Sequence, residues 1–211
     1  MSIFGADFCP FSLDWNRELS FGRLPTVLMG LRVTFAGKPA VISYISPNQV
    51  NVQAPNVEPG SVPVVVAFNN ETSVPFIAQA RVCAPAFFHW AASSYAVATR
   101  YPDNAYLGGP SLGPPWTAAN PGDIVILWAT GFGPTQPSVP PGVIVPAPAL
   151  TSTTPALTVA GLTASVLGAA LSPGLIGVYQ LAFEVPTGAP PGDANLKASI
   201  AGTAAPTRYS M

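Results

Sequence analysis

The chain repeats itself, and the repeat limits what it can fold into more than any other feature does. Ser2-Ile3-Phe4-Gly5-Ala6-Asp7-Phe8-Cys9-Pro10 returns as Ile126-Leu127-Trp128-Ala129-Thr130-Gly131-Phe132-Gly133-Pro134, each a short apolar run closing on Phe-x-Pro. Val33-Thr34-Phe35-Ala36-Gly37 returns as Leu157-Thr158-Val159-Ala160-Gly161, and Ser46-Pro47 as Ser172-Pro173. Gln49 to Pro55 is echoed by Gln180 to Pro186, and Glu58-Pro59-Gly60 by Pro190-Pro191-Gly192. Blocks recurring in one order mean two copies of one module, each a unit of supersecondary structure.

The modules read as all-β. Leu31-Arg32-Val33-Thr34-Phe35, Gln49-Val50-Asn51-Val52-Gln53 and Pro63 to Phe68 are short alternating or apolar runs, separated by Gly-, Pro- and Asn-rich turns. Short strands at such spacing are the pattern of a β-sandwich. The expected architecture is two tandem Ig-like sandwiches: module one at 1–83, an aromatic-rich hairpin linker at 84–120, and module two at 121–211. Pro102-Asp103-Asn104 reads as the hairpin tip. The linker carries Phe87, Phe88, Trp90, Tyr95 and Trp116, too aromatic a set for a loose tether. Two insertions fall at equivalent places, the charged Asp14 to Phe21 and the proline-rich Pro134 to Pro155.

Composition narrows the functional classes. Charged residues make up 8% of the chain, far below the usual quarter, and the formal net charge is −1. No Lys/Arg cluster is present to neutralise a run of phosphates, so nucleic acid is not an expected partner. No apolar stretch is long enough to span a bilayer as a helix. The start of module one reads as mid-strand, because its twin has Asn120-Pro121-Gly122-Asp123-Ile124-Val125 ahead of the matched block. The expectation is a piece of a longer, exported or cell-surface protein.

Phe4-Gly5-x-x-Phe8, Gly37-Lys38-Pro39-Ala40, Ile45-Ser46-Pro47-x-Gln49-Val50-Asn51-Val52-Gln53-x-Pro55 and Ala84-Pro85-Ala86-Phe87-Phe88 carry a resemblance. So do Asn120 to Trp128, continuing Ala129-Thr130-Gly131-x-Gly133-Pro134-Thr135, and Gly177-Val178-Tyr179-Gln180. Together they resemble the paired Ig-like, IPT/TIG-type modules near the C-termini of large secreted bacterial proteins, abundant in acidobacterial genomes. The resemblance implies secretion and an accessory, adhesive or spacer role, with no catalytic residues to carry over. The Trp15 insertion and the cysteine pair depart from that pattern.

Several residues could still carry chemistry. His89 is the sole histidine, and with Ser93 and Asp103 it is the candidate set for a hydrolase at the module junction. The alternative is packing within the aromatic linker, and no Gly-x-Ser-x-Gly elbow accompanies the set. Trp15 and Trp116 lie in loops and are candidates for stacking on a sugar, or else for anchoring those loops. Trp128, inside a strand, is expected in the core. Cys9 and Cys83 flank the first and last strands of module one, which run side by side in a sandwich of this kind. They could form a disulfide closing the module or remain two buried thiols. No metal-ligand spacing is visible and no cofactor is expected. The remaining partners to consider are another protein or a polysaccharide surface.

Overall fold

Alternation decides the strands. Leu31, Val33 and Phe35 are buried while Arg32 between them is exposed, and Val50 and Val52 are buried between half-buried polar neighbours. Such a run is stable only with its apolar face against a second layer. The computed structural model describes residues 1–15, 23–90, 93–206 and 209–211. Most of the Asp14 to Phe21 insertion therefore lies outside the described residues. The described residues form strands with a 3-10 turn at Pro110–Leu112, and the chain divides into two units. Unit 1 is Met1–Val82 with Pro140–Ile144; unit 2 is Cys83–Val139 with Val145–Met211.

Unit 1 runs through β1 (Ser2–Phe4), β2 (Leu13–Asp14), β3 (Val27–Leu28), β4 (Leu31–Phe35) and β5 (Lys38–Pro39). It continues through β6 (Val41–Ile45), β7 (Gln49–Gln53), β8 (Gly60–Phe68), β9 (Glu71–Thr72) and β10 (Phe76–Ala80). One sheet has the order β1-β7-β6-β2 and the other β10-β8-β4-β3, all antiparallel. The two sheets share one core, in which Ile42, Ile45 and Val50 of the first meet Leu31, Val33 and Val64 of the second. Pro140–Ile144 belongs to this unit through Gly142. Its N–H donates to Gln53 Oε1 at 2.7 Å, and its carbonyl accepts Leu24 N–H at 3.2 Å.

Unit 2 comprises β11 (Ala86–Phe87), β12 (Ala98–Tyr101), β13 (Tyr106–Leu107), β14 (Ile124–Thr130), β15 (Thr135–Gln136), β16 (Ala149–Thr151) and β17 (Ala156–Val159). After these come β18 (Leu162–Thr163), β19 (Ser165–Leu171), β20 (Tyr179–Glu184), β21 (Asn195–Ile200), β22 (Thr203–Ala204) and β23 (Tyr209–Ser210). Its larger sheet runs β13-β12-β14-β20-β19-β16-β15, with β11 also on β14. Its smaller sheet is built on β17 and β21. The residues 84–120 thus supply strands to this unit.

The repeat is structural. The order β1-β7-β6-β2 recurs as β14-β20-β19-β16, and β10-β8-β4 as β23-β21-β17. Register agrees residue for residue: Phe4 stands opposite Gln49 as Trp128 stands opposite Gln180. Even an irregularity is shared, between Ile42 and Tyr44 in β6 and between Val166 and Gly168 in β19, opposite equivalent residues. The β4–β5 and β17–β18 hairpins turn at Ala36-Gly37 and Ala160-Gly161, with positive φ at all four residues. That is the geometry whose twist suits a two-residue hairpin. The chain is all-β, with two Ig-like sandwiches related by an internal repeat.

One burial expectation is corrected. In β14 the buried residues are Val125, Leu127 and Ala129, which places Trp128 on the outer face, half-buried. Its counterpart Phe4 is 74% exposed.

Candidate functional site

Unit 2 holds a cleft of ≈ 480 Å³. The β12–β13 hairpin leads into Gly108-Gly109 and the 3-10 turn Pro110–Leu112, and the chain then returns alongside β13. Gly108 N–H donates to Thr117 O at 3.0 Å, and Thr117 N–H to Tyr106 O at 2.9 Å. This return puts Trp116 in the cleft lining, which also includes the turn Pro190-Pro191-Gly192. Trp90, Tyr106 and Trp116 pack together. The Trp90 ring meets Tyr106 and Trp116 edge-on, each with centroids 5.6 Å apart. The indole Nε1 atoms of Trp90 and Trp116 are buried without a hydrogen-bond partner.

Tyr95 anchors Asp193, which lines the cleft. Its hydroxyl donates to Asp193 Oδ2 at 2.8 Å, and that bond holds the phenol above its ordinary pKa. The carboxylate that lines the cleft is therefore already engaged. The remaining lining is mostly proline, alanine, valine and glycine, with Asn120 as the other polar side chain. Among the described residues no nucleophile–base pair lines the cleft. Its chemistry is that of an apolar recess with one aromatic wall, able to receive a hydrophobic side chain or the apolar face of a sugar.

The residues singled out for hydrolysis have other partners. His89 is exposed, bridges to Ala96 and has Nδ1 at 3.2 Å from Trp90 O. Ser93 Oγ donates to Trp90 O at 3.1 Å and accepts Tyr95 N–H at 3.2 Å, the role of a turn-capping serine. Asp103 sits at the hairpin tip, 2.6 Å from Arg100 Nη2, and that hydrogen bond holds its carboxyl below the usual range. No hydrogen bond joins any two of the three. Trp15, just after β2, is half-buried and belongs to unit 1, whereas Trp116 belongs to unit 2. Among the described residues no group of three His, Cys, Asp or Glu side chains could hold a metal ion.

Cys9 and Cys83, left open between a disulfide and two thiols, are both free and buried in the structure. Cys9 lies in the core of unit 1 and its thiol donates to Phe11 O at 3.1 Å. Cys83 is the first residue of unit 2 and packs in that unit's core, where burial raises its pKa. It does not close the first module.

The sequence singles out Trp116, which lines the cleft, but not the Tyr95–Asp193 pair or the Pro190–Asp193 segment. Asp193 follows Pro-Pro-Gly and reads as an ordinary turn residue; nothing local says that a tyrosine far along the chain will meet it.

No curated protein matches this chain. Over residues 2–78, nearly all of the continuous part of unit 1, it is similar to the IPT/TIG domain, a generally non-catalytic Ig-like interaction module.

Proposed function

We propose that the chain is a non-catalytic interaction module of an exported or cell-surface protein, serving in adhesion or as a spacer, and that both units are of IPT/TIG type. The match over residues 2–78 carries this reading. The correspondence of sheet order and register supports extending it to unit 2. Exposed Val74, Phe76 and Ile77 beside and along the edge strand β10 add apolar contact surface in unit 1, as expected of a surface that meets a partner. The family resemblance supports export.

The test is a panel of ester and glycoside substrates with the purified chain and His89→Ala. Inertness of both proteins is the expected outcome. Turnover that disappears in the variant would replace the reading with a hydrolase.

A second reading, carbohydrate binding, rests on the Trp116 indole in the cleft wall. Saturable binding of a soluble polysaccharide, lost in Trp116→Ala and kept in Trp15→Ala, would establish it for unit 2 alone.

A further inference from the structure

The cleft of unit 2 has lining residues from both of the unit's sheets. Val159 of β17 and Ala194, just ahead of β21, come from the smaller sheet, and Val185, directly after β20, from the larger. All three are buried members of the unit's core. The lining carries one charged side chain, Asp193, and one amide side chain, Asn120, both exposed. Trp116 adds an indole whose Nε1 is buried.

The charge of Asp193 has no counter-charge beside it. Its Oδ2 accepts the Tyr95 hydroxyl, a neutral donor, at 2.8 Å. Among the described residues no hydrogen bond reaches Oδ1, and the salt bridges are those of Arg100 with Asp103 and Asp123. The complement of an apolar recess with one such carboxylate is a single positive charge on an apolar stem. A guanidinium gains most where both carboxylate oxygens meet its fork, and here one oxygen is taken; a compact ammonium needs only the other. A pyranose would set most of its hydroxyls against apolar lining, at a desolvation cost, and would leave the charge unmatched.

We propose that the cleft receives a lysine side chain of a partner protein. The aliphatic stem lies along the apolar lining beside Trp116. The ammonium stays at the exposed carboxylate, still partly in water, and donates to Asp193 Oδ1. This rests on the interaction reading above and names one contact through which a partner is held.

The test follows the amide NMR spectrum of the full, isotope-labelled chain during titration with Nα-acetyl-lysine methylamide. Saturable shifts are expected at Gly108, Gly109, Gly192 and the Trp116 indole N–H. Asp193→Asn, which keeps the side chain's shape and an acceptor for Tyr95, should weaken binding about fivefold. On wild type the norleucine analogue, which has the stem without the amine, should bind about fivefold more weakly as well. Raising salt from about 0.05 to 0.5 M should weaken binding of the lysine analogue to wild type. No saturable shift, equal binding by a folded Asp193→Asn, equal binding of the two analogues, or indifference to salt overturns the proposal. So does a neutral pyranoside that saturates the same amides while the lysine analogue does not, which assigns the cleft to a sugar. The analogue and salt comparisons use wild type, so a variant that fails to fold leaves the test intact. None of these failures touches the non-catalytic reading, which falls only to turnover in the substrate panel.

Discussion

Gly109 has no side chain because Tyr95 fills the space one would need. A Cβ at this position would fall 1.9 Å from the Tyr95 hydroxyl oxygen and 2.4 Å from the ring carbon that bears it. Gly109→Ala should therefore push the ring aside and break the bond to Asp193. Overpacking of this kind costs about 1–3 kcal/mol, to be read in urea unfolding. Tyr95→Phe, which removes only the hydroxyl, should cost about 1 kcal/mol. A second tyrosine answers to pH. Tyr179 lies in the core of unit 2 with its hydroxyl on Gly133 O, and burial pushes its pKa up to about 12. A raised folded-state pKa means that the unfolded chain ionises first as pH rises. Stability from this group is whole below about pH 10 and falls away between roughly pH 10 and 12, by about 2–3 kcal/mol in all. Ultraviolet titration of phenolate, with Tyr179→Phe as the reference, follows the group. Unfolding at stepped alkaline pH should show a shallower loss in the variant.

At the scale of the element, the two faces of one strand separate core from surface. Leu127 in β14 is fully buried and Trp128 beside it is half-buried on the outer face. Leu127→Ala should cost about 2–5 kcal/mol, the range for deleting a buried leucine side chain. Leu150→Ala in β16, at a side chain 58% exposed, should change unfolding by no more than about 0.5 kcal/mol. Equal effects would mean that the burial pattern of the larger sheet is misassigned. The strands themselves were legible in the sequence, because a period of two and a turn residue at each end are local properties. The Ala36-Gly37 and Ala160-Gly161 turns were legible for the same reason. Trp128 stands outside the core because alternation decides the face: Val125, Leu127 and Ala129 already claim the inner one. Tyr95 and Asp193 were illegible as a pair because 98 residues separate them and neither position is unusual in its own neighbourhood.

For the whole molecule, the repeat announced two modules but not which residues complete each one. Cys83 reads as the end of the first module and packs in the second unit, while Pro140–Ile144 reads as a loop of the second module and belongs to the first. Both assignments depend on tertiary partners that local sequence does not encode. Gly142 measures the effect. Its φ is +80°, and a Cβ there would lie 2.9 Å from Val41 Cγ2. Gly142→Ala should cost about 1–3 kcal/mol through strain and crowding. Hydrogen exchange should show the lost protection at Val41 and its β6 neighbours, far away in sequence. Protection lost only around β15 and β16 would contradict the assignment of this segment to unit 1.

The discontinuity of unit 1 also bears on inheritance. A gene fragment ending at Val82 would encode all of the matched span 2–78 but not the five residues that bring Gly142 to Gln53 and Leu24. Recombination that moves unit 1 intact must carry the coding sequence through Ile144, and with it Cys83–Val139, nearly half of unit 2's chain. Shuffling the continuous part of one sandwich without the other would leave the first without the segment that Gly142 anchors.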